Sequence, residues 1–456
     1  MTVRFYRLAR WLWWKLPQGA RDFLRPRLFP PSGVRAALMN RFAPAAVATR
    51  AQERGRGVGP RRPFPVVPET VSVLIPTLNG GPLFRRVLES VRSQEGLGGL
   101  ELVVVDSGST DGTREAAAAY GARLVEIEPE AFGHGRTRNV AAEAATGDVL
   151  LTLVQDAVLL GPDTVRALLV ELHAEPRIAA VSARQIPRSD VDLYGAYSVW
   201  SHDRVIVPTH RSVARRKPSA LAPHERRAAG SVDNVCAAIS PAAWRELRFA
   251  DVQFAEDLDF GLRALEQGWK VRLSRTAAVA HSHTRDAAYG FRRAVADRLH
   301  VAGRIGEGLA RSGAYEPDDL RRASRRLLEE LEGALGDLPA EPSPLLSQLR
   351  YLQSTLRHGG TPRPPTGEVA LLSEAIGAPG GGGVSEEPLE ILRGELCTVL
   401  SWTVLEEFAR AHPAVPPDEV GPLAAKLAAS VFGRALGDAA RREAGAAWTE
   451  SLLAGV

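Results

Sequence analysis

Val71-Ser-Val-Leu-Ile-Pro-Thr-Leu-Asn79, Leu102-Val-Val-Val-Asp-Ser-Gly-Ser-Thr-Asp-Gly-Thr113 and Asp148-Val-Leu-Leu-Thr-Leu-Val-Gln-Asp-Ala157 share one construction, a short apolar run that ends in small polar residues. Runs of this length rich in Val, Ile and Leu read as strands buried on both faces of a parallel sheet. Between the first two, Leu83, Val87 and Val91 recur every four residues, which is one face of a helix. Strand, helix, strand is a βαβ unit with an expected right-handed crossover. The predicted fold class is therefore α/β, a mostly parallel sheet flanked by helices. In such sheets ligands sit beyond the carboxyl ends of the strands. Pro76, Thr77, Asn79, Asp106, Ser107 and Asp156 fall at those ends.

The chain has 456 residues, enough for two or three domains, and 45% of them are hydrophobic. Two cysteines, Cys236 and Cys397, do not make a disulfide framework, so a reducing compartment is the expectation. A net charge of +4 over this length gives no argument for nucleic acid. No apolar run reaches transmembrane length. Arg4, Arg7 and Arg10 interrupt any signal-peptide core.

Taken in order, residues 1–68 form a basic, aromatic N-terminal segment with Asp22 and Glu53 as its only acids before residue 60. Within it, residues 3–16 place Phe5, Leu8, Leu12 and Leu16 on one helical face, with Arg4, Arg7 and Lys15 off it, and Pro17 as a stop. Arg and Lys beside Trp and Leu suit a helix lying at a membrane surface. Packing on another protein surface is the competing use of the same face. The expected location is cytoplasmic, with peripheral contact to the inner face of the cell membrane. Residues 50–68 read as a linker. The βα rhythm fills 69–295, apart from 185–232, which mixes Pro, Arg, His and Tyr and suits a loop-rich acceptor wall. Residues 296–456 are predicted helical, at 320–335, 345–356, 389–411 and 420–453, with a Gly/Pro-rich break near 358–388.

The first two runs, together with Phe132-Gly-His-Gly-Arg-Thr-Arg-Asn139, Gln155-Asp-Ala157, Ala183-Arg-Gln-Ile-Pro187, Glu256-Asp257 and His281-Ser-His283, resemble the inverting family-two glycosyltransferases of the GT-A (Rossmann-like) fold. They are similar in particular to that family's rhamnosyltransferase-like branch. The resemblance covers roughly residues 70–295.

On the residues alone, Asp106 can accept the N3–H of a uracil or thymine ring or can cap the next turn. The resemblance implies the first. It also implies a nucleotide-sugar site lined by Pro76, Thr77, Asn79, Asp106, Ser107, Arg136, Arg138 and Gln155. Both arginines start a helix after two glycines, a position suited to a diphosphate. Asp156 stands where the family holds the second acid of an Asp-x-Asp metal motif, whereas Val154 replaces the first. The implied cofactor is a divalent metal, Mn2+ or Mg2+, on Asp156 with help from His283 and His281. Asp257 is implied as the catalytic base, with Glu256 or Asp259 orienting the acceptor. Acids at a helix start are favourable in any case.

The implied activity is metal-dependent, non-processive hexosyl transfer with inversion. The sugar would pass from a nucleotide-diphospho-sugar (dTDP-rhamnose or a UDP-sugar) to a hydroxyl of a glycan or lipid-linked acceptor, as in building a cell-envelope polysaccharide. The Gln-x-x-Arg-Trp signature of processive synthases is missing. The alternative is a catalytically weak nucleotide-sugar-binding or scaffold protein of a glycan assembly. The replacement at Val154 and the long helical tail speak for it, and the intact Asp156 and Asp257 speak against it.

Overall fold

Strand β1 (Val67–Thr77) shows why the first run must lie at the centre of a sheet. Its Val71, Val73 and Ile75 join one apolar cluster, and Leu74, pointing the other way, joins a second. β2 (Leu97–Asp106) and β4 (Val149–Leu153) divide in the same way, with Leu102, Val104, Leu151 and Leu153 on one face and Val103, Val105 and Leu150 on the other. This period of two, apolar on both sides, demands a helical layer above and below. Helices Gly81–Arg92 and Thr164–Leu172 cover the first face. Helices His134–Ala144, Pro241–Leu247 and Glu256–Glu266 cover the second. The structure, a computed structural model, describes residues 67–213 and 218–443. The expected surface helix at 3–16 lies outside these, as does most of the expected linker.

The remaining strands are β3 (Arg123–Glu126), β5 (Val158–Leu159), β6 (Ile178–Ile186), β7 (Cys236–Ile239) and β8 (Lys270–Ala280). The sheet order is β3-β2-β1-β4-β7-β6-β8-β5. β1 pairs in parallel with β2 and β4, β2 with β3, and β6 with β8. β7 runs antiparallel to both β4 and β6, and β5 antiparallel to β8. The expected α/β class, a mostly parallel sheet between helices, is the architecture found. β8 is continuous and keeps β6 as its partner across a register shift between Ser182 and Arg184.

Residues 185–232 are not the loop-rich wall expected. They contain a helix, Leu193–Val213, and a second, Pro223–Ala229. Among the described side chains of the long helix, Leu193 and Tyr197 lie in the core with Trp200 packed beside them, an apolar period that is short and easily missed.

Beyond the sheet, helices Pro317–Gly336, Leu345–Arg357, Glu386–Leu400, Thr403–Arg410 and Pro417–Arg442 form one apolar core. Helix Gly367–Ile376 lies inside the expected break and buries Val369, Leu372 and Ile376 in that core. The expected boundary at residue 295 falls within helix Ala287–His300, whose Phe291 and Val295 belong to the same cluster. Gly433 makes this contact possible, since a Cβ there would lie 2.5 Å from the Phe291 carbonyl oxygen. Among the described residues no helix is long and apolar enough to cross a membrane. Cys236 and Cys397 are free and buried.

Candidate active site

The pairing of three strands brings the candidate metal ligands together. Antiparallel β5 places Val158 opposite Ala280, so the residues just before β5 face those just after β8. Asp156 Oδ1 is 3.5 Å from His281 Nε2, and its Oδ2 is 3.6 Å from His283 Nε2. One ligand atom from each residue falls within 4.8 Å of the others. Parallel β6 then adds a brace that the sequence reading missed. Gln185 donates its amide N–H to Asp233, and its Oε1 lies 2.7 Å from His281 Nδ1. An amide oxygen only accepts, so Nδ1 carries a proton, and Nε2 is the ring nitrogen turned toward Asp156.

Burial alone would raise the Asp156 carboxyl, but the His281 contact and the electrostatic pull of the surrounding His281, His283 and Arg188 outweigh it and hold it below the usual range. Burial pushes His283 down to about 4, against the pull of Asp156 and with help from His281, Arg285 and Arg188, so it is neutral at pH 7. One carboxylate and two imidazoles, one of them oriented by a second residue, fit a divalent ion such as Mn2+. Val154 packs against the apolar cluster beneath the sheet and offers no ligand. Gln185→Ala is expected to weaken Mn2+ binding, measured by calorimetry, by about 10- to 100-fold. An unchanged affinity would show that the imidazole needs no brace.

Asp257 lies at the start of helix Glu256–Glu266. The residue before the helix, Ala255, adopts φ +59°, a left-handed conformation strained for a residue with a Cβ. The Asp257 carboxylate receives Leu258 N at 2.7 Å. Burial first, then the charges of Glu256 and Asp233, push it up to about 7, with Arg138 and the Leu258 N–H pulling the other way. Asp233 is thus a neighbour both of Gln185 in the metal-ligand brace and of Asp257.

Glu256 and Asp259 do not stand free to orient an acceptor. Glu256 is buried and accepts Arg138 Nη1 at 2.5 Å and Asn234 Nδ2 at 3.4 Å. Asp259, about 200° around the helix from Asp257, is paired with Arg263 at 2.6 Å and faces Arg304 at 3.6 Å.

The expected diphosphate arginines are engaged elsewhere too. Arg138 is the buried partner of Glu256, and Arg136 pairs at the surface with Asp251 at 2.7 Å. The glycine before Arg136 serves packing, because a Cβ on Gly135 would lie 2.0 Å from the Ala250 carbonyl oxygen.

At the ends of β1 and β2 the expected nucleotide residues are largely spent on one another. Asp106, 1% exposed, accepts Thr77 Oγ1 at 2.8 Å, Ser109 Oγ at 2.5 Å, Ser109 N at 2.8 Å and Gly108 N at 3.1 Å. Those four bonds fill a carboxylate's acceptor sites. In this arrangement Asp106 braces the turn, and no lone pair is left for a base. Ser107 bonds the Thr77 carbonyl through N and Oγ. Asn79 Oδ1 accepts Thr110 N at 2.8 Å, and both polar atoms of the Gln155 amide hold the Leu78 backbone. Pro76 is half-buried in β1, opposite Val105.

Residues 72–226 match the glycosyl transferase family 2 domain. The chain is 32% identical over 222 residues to the O-antigen chain rhamnosyltransferase RfbN of Salmonella typhimurium, a match covering 47% of this chain and 66% of that one. It is 30% identical over 191 residues to the O-antigen chain rhamnosyltransferase WbaN of Salmonella anatum, covering 40% and 56% respectively. The chain thus spans just under two thirds and just over half of these relatives' own lengths. Among solved structures, a mannosyltransferase from Pyrobaculum calidifontis in complex with GDP-Man and Mn2+ aligns over 83% of this chain and 96% of its own, at 22% identity and a TM-score of 0.44.

Proposed function

Residues 72–226 carry a glycosyl transferase family 2 domain, and from that premise we propose that the protein moves a sugar from a nucleotide-diphospho-sugar to a hydroxyl of a glycan or lipid-linked acceptor, with inversion and one sugar per encounter. The two rhamnosyltransferase relatives support dTDP-rhamnose as the first donor to try. The observation that carries the proposal is the run of contacts from Asp156 through His281, Gln185 and Asp233 to the surroundings of Asp257. That run links a candidate cation cluster to the neighbours of a carboxyl raised to about 7, a combination that supports displacement at an anomeric carbon.

Asp257 takes the proton of the acceptor hydroxyl, because a sugar hydroxyl is a poor nucleophile until a positioned base does so. The oxygen attacks the anomeric carbon from the face opposite the diphosphate, the bond to the diphosphate breaks, and configuration inverts. A divalent cation held by Asp156, His281 and His283 would neutralise charge on the departing diphosphate. Glu256, fixed by Arg138, keeps a negative charge beside Asp257 and so strengthens it as a base.

The test is a panel of dTDP-rhamnose, UDP-glucose and GDP-mannose incubated with the purified chain, with and without Mn2+, following release of nucleoside diphosphate. Release from one donor that needs both Mn2+ and Asp257 is the expected result. Donor binding without turnover would replace the enzyme by a nucleotide-sugar-binding scaffold.

A further inference from the structure

With Arg136 and Arg138 paired to Asp251 and Glu256, the expected diphosphate contacts have no free cation among the residues first assigned to them. The cation beside the cluster is Arg188. Its Nη1 lies 3.9 Å from Asp156 Oδ2, too far for a hydrogen bond, and is a buried nitrogen with no hydrogen-bond partner. Its Nε faces the exposed Asp190 at 3.6 Å, a weak surface contact. The backbone beneath it is held in place, since Arg188 N donates to the buried Ser282 Oγ at 2.9 Å, and Ser282 sits between the two candidate histidine ligands. A second cation, Arg285, bears electrostatically on His283, its guanidinium lying 5.0 Å over the Tyr289 ring.

Buried N–H groups of a guanidinium are costly to leave unmet. This one stands beside the carboxylate of a cation cluster, where a diphosphate bridging to that cation would bring several acceptor oxygens. We propose that Arg188 is the residue that grips the diphosphate of the bound donor, through the nitrogen left unmet next to Asp156. It rests on the site's taking a nucleotide-diphospho-sugar. Arginine suits the task because its planar fork meets phosphate oxygens in pairs.

The experiment is calorimetry on the full chain with Mn2+ present, titrating UDP, dTDP and GDP and the matching monophosphates into wild type, Arg188→Gln and Arg188→Lys. Arg188→Gln is expected to weaken the preferred diphosphate by about 10- to 100-fold and to leave the monophosphate within about twofold. Arg188→Lys, which keeps charge but loses the fork, is expected to fall between.

Mn2+ titrated alone should bind Arg188→Gln as tightly as wild type or more tightly, since a cation 3.9 Å from a ligand oxygen is gone. Weaker Mn2+ binding would make Arg188 only a support for Asp156 and would overturn the assignment. Equal loss of monophosphate and diphosphate, or no loss of either, would also overturn it. A wild type that binds no nucleotide would remove the donor-binding role of the site and this assignment together. A wild type that binds, with an unaffected variant, would remove only the assignment.

Discussion

Asp257→Asn is expected to lower transfer by about 10²- to 10⁴-fold, the usual share of a positioned general base, while donor binding stays within about twofold of wild type. Wild-type kcat/KM for the acceptor should follow ionisation of this carboxyl, rising about tenfold per pH unit up to about 7 and then levelling. Stability should run the other way. The folded carboxyl is raised to about 7, whereas an unfolded aspartate titrates near 3.9. Between those values the folded chain keeps a proton that the unfolded chain has released. Stability from this group is therefore complete below about pH 4 and declines as pH rises to about 7. An uncharged Asn escapes that penalty, so at pH 8 the variant should melt at the same temperature as wild type or higher. An inactive variant that also melts lower would point to a damaged fold, and unchanged turnover would remove Asp257 as the base.

Lys426→Met is expected to destabilise the protein by roughly 3–5 kcal/mol, the cost of breaking a buried ion pair by removing one partner. Lys426 is 2% exposed on helix Pro417–Arg442, and its ammonium meets Asp192, with Glu368 at 3.8 Å. Asp192 accepts Gly195 N at 2.7 Å at the start of the long helix, and Glu368 accepts Ala287 N at 2.7 Å at the start of helix Ala287–His300. Asp192 N also donates to Thr284 Oγ1 at 3.3 Å, one residue beyond His283. One ammonium therefore holds the segments that carry Arg188 and His283. Without it Asp192 and Glu368 lose the ammonium they share. Urea unfolding measures the loss. A change under about 1 kcal/mol would mean that the pair is screened as a surface pair is. The double variant with Asp192→Asn should recover part of the loss, because it removes one of the stranded charges.

The chain's own order of residues determined the sheet and one end of the site. Apolar runs with a period of two, each stopping at Thr77, Asp106 or Leu153, need only local geometry and burial to become central strands. The same local logic put Asp257 at a helix start. It failed where a side chain's role depends on what lies across the fold. Arg138 and Glu256 are 118 residues apart and are held as a buried ion pair. Asp106 looked available because the residues that saturate its carboxylate include Thr77, from the neighbouring strand.

Gln185, Asp233 and Arg188 went unnoticed for the same reason. Their partners, His281, Gln185 and Asp156, are separated from them by 96, 48 and 32 positions (188 − 156 for the last). Only the antiparallel return of β5 onto β8, with β6 alongside, brings those groups within reach. A polar side chain's chemistry is set by the charges and hydrogen-bond partners around it, and strand pairing rather than sequence distance decides which ones those are.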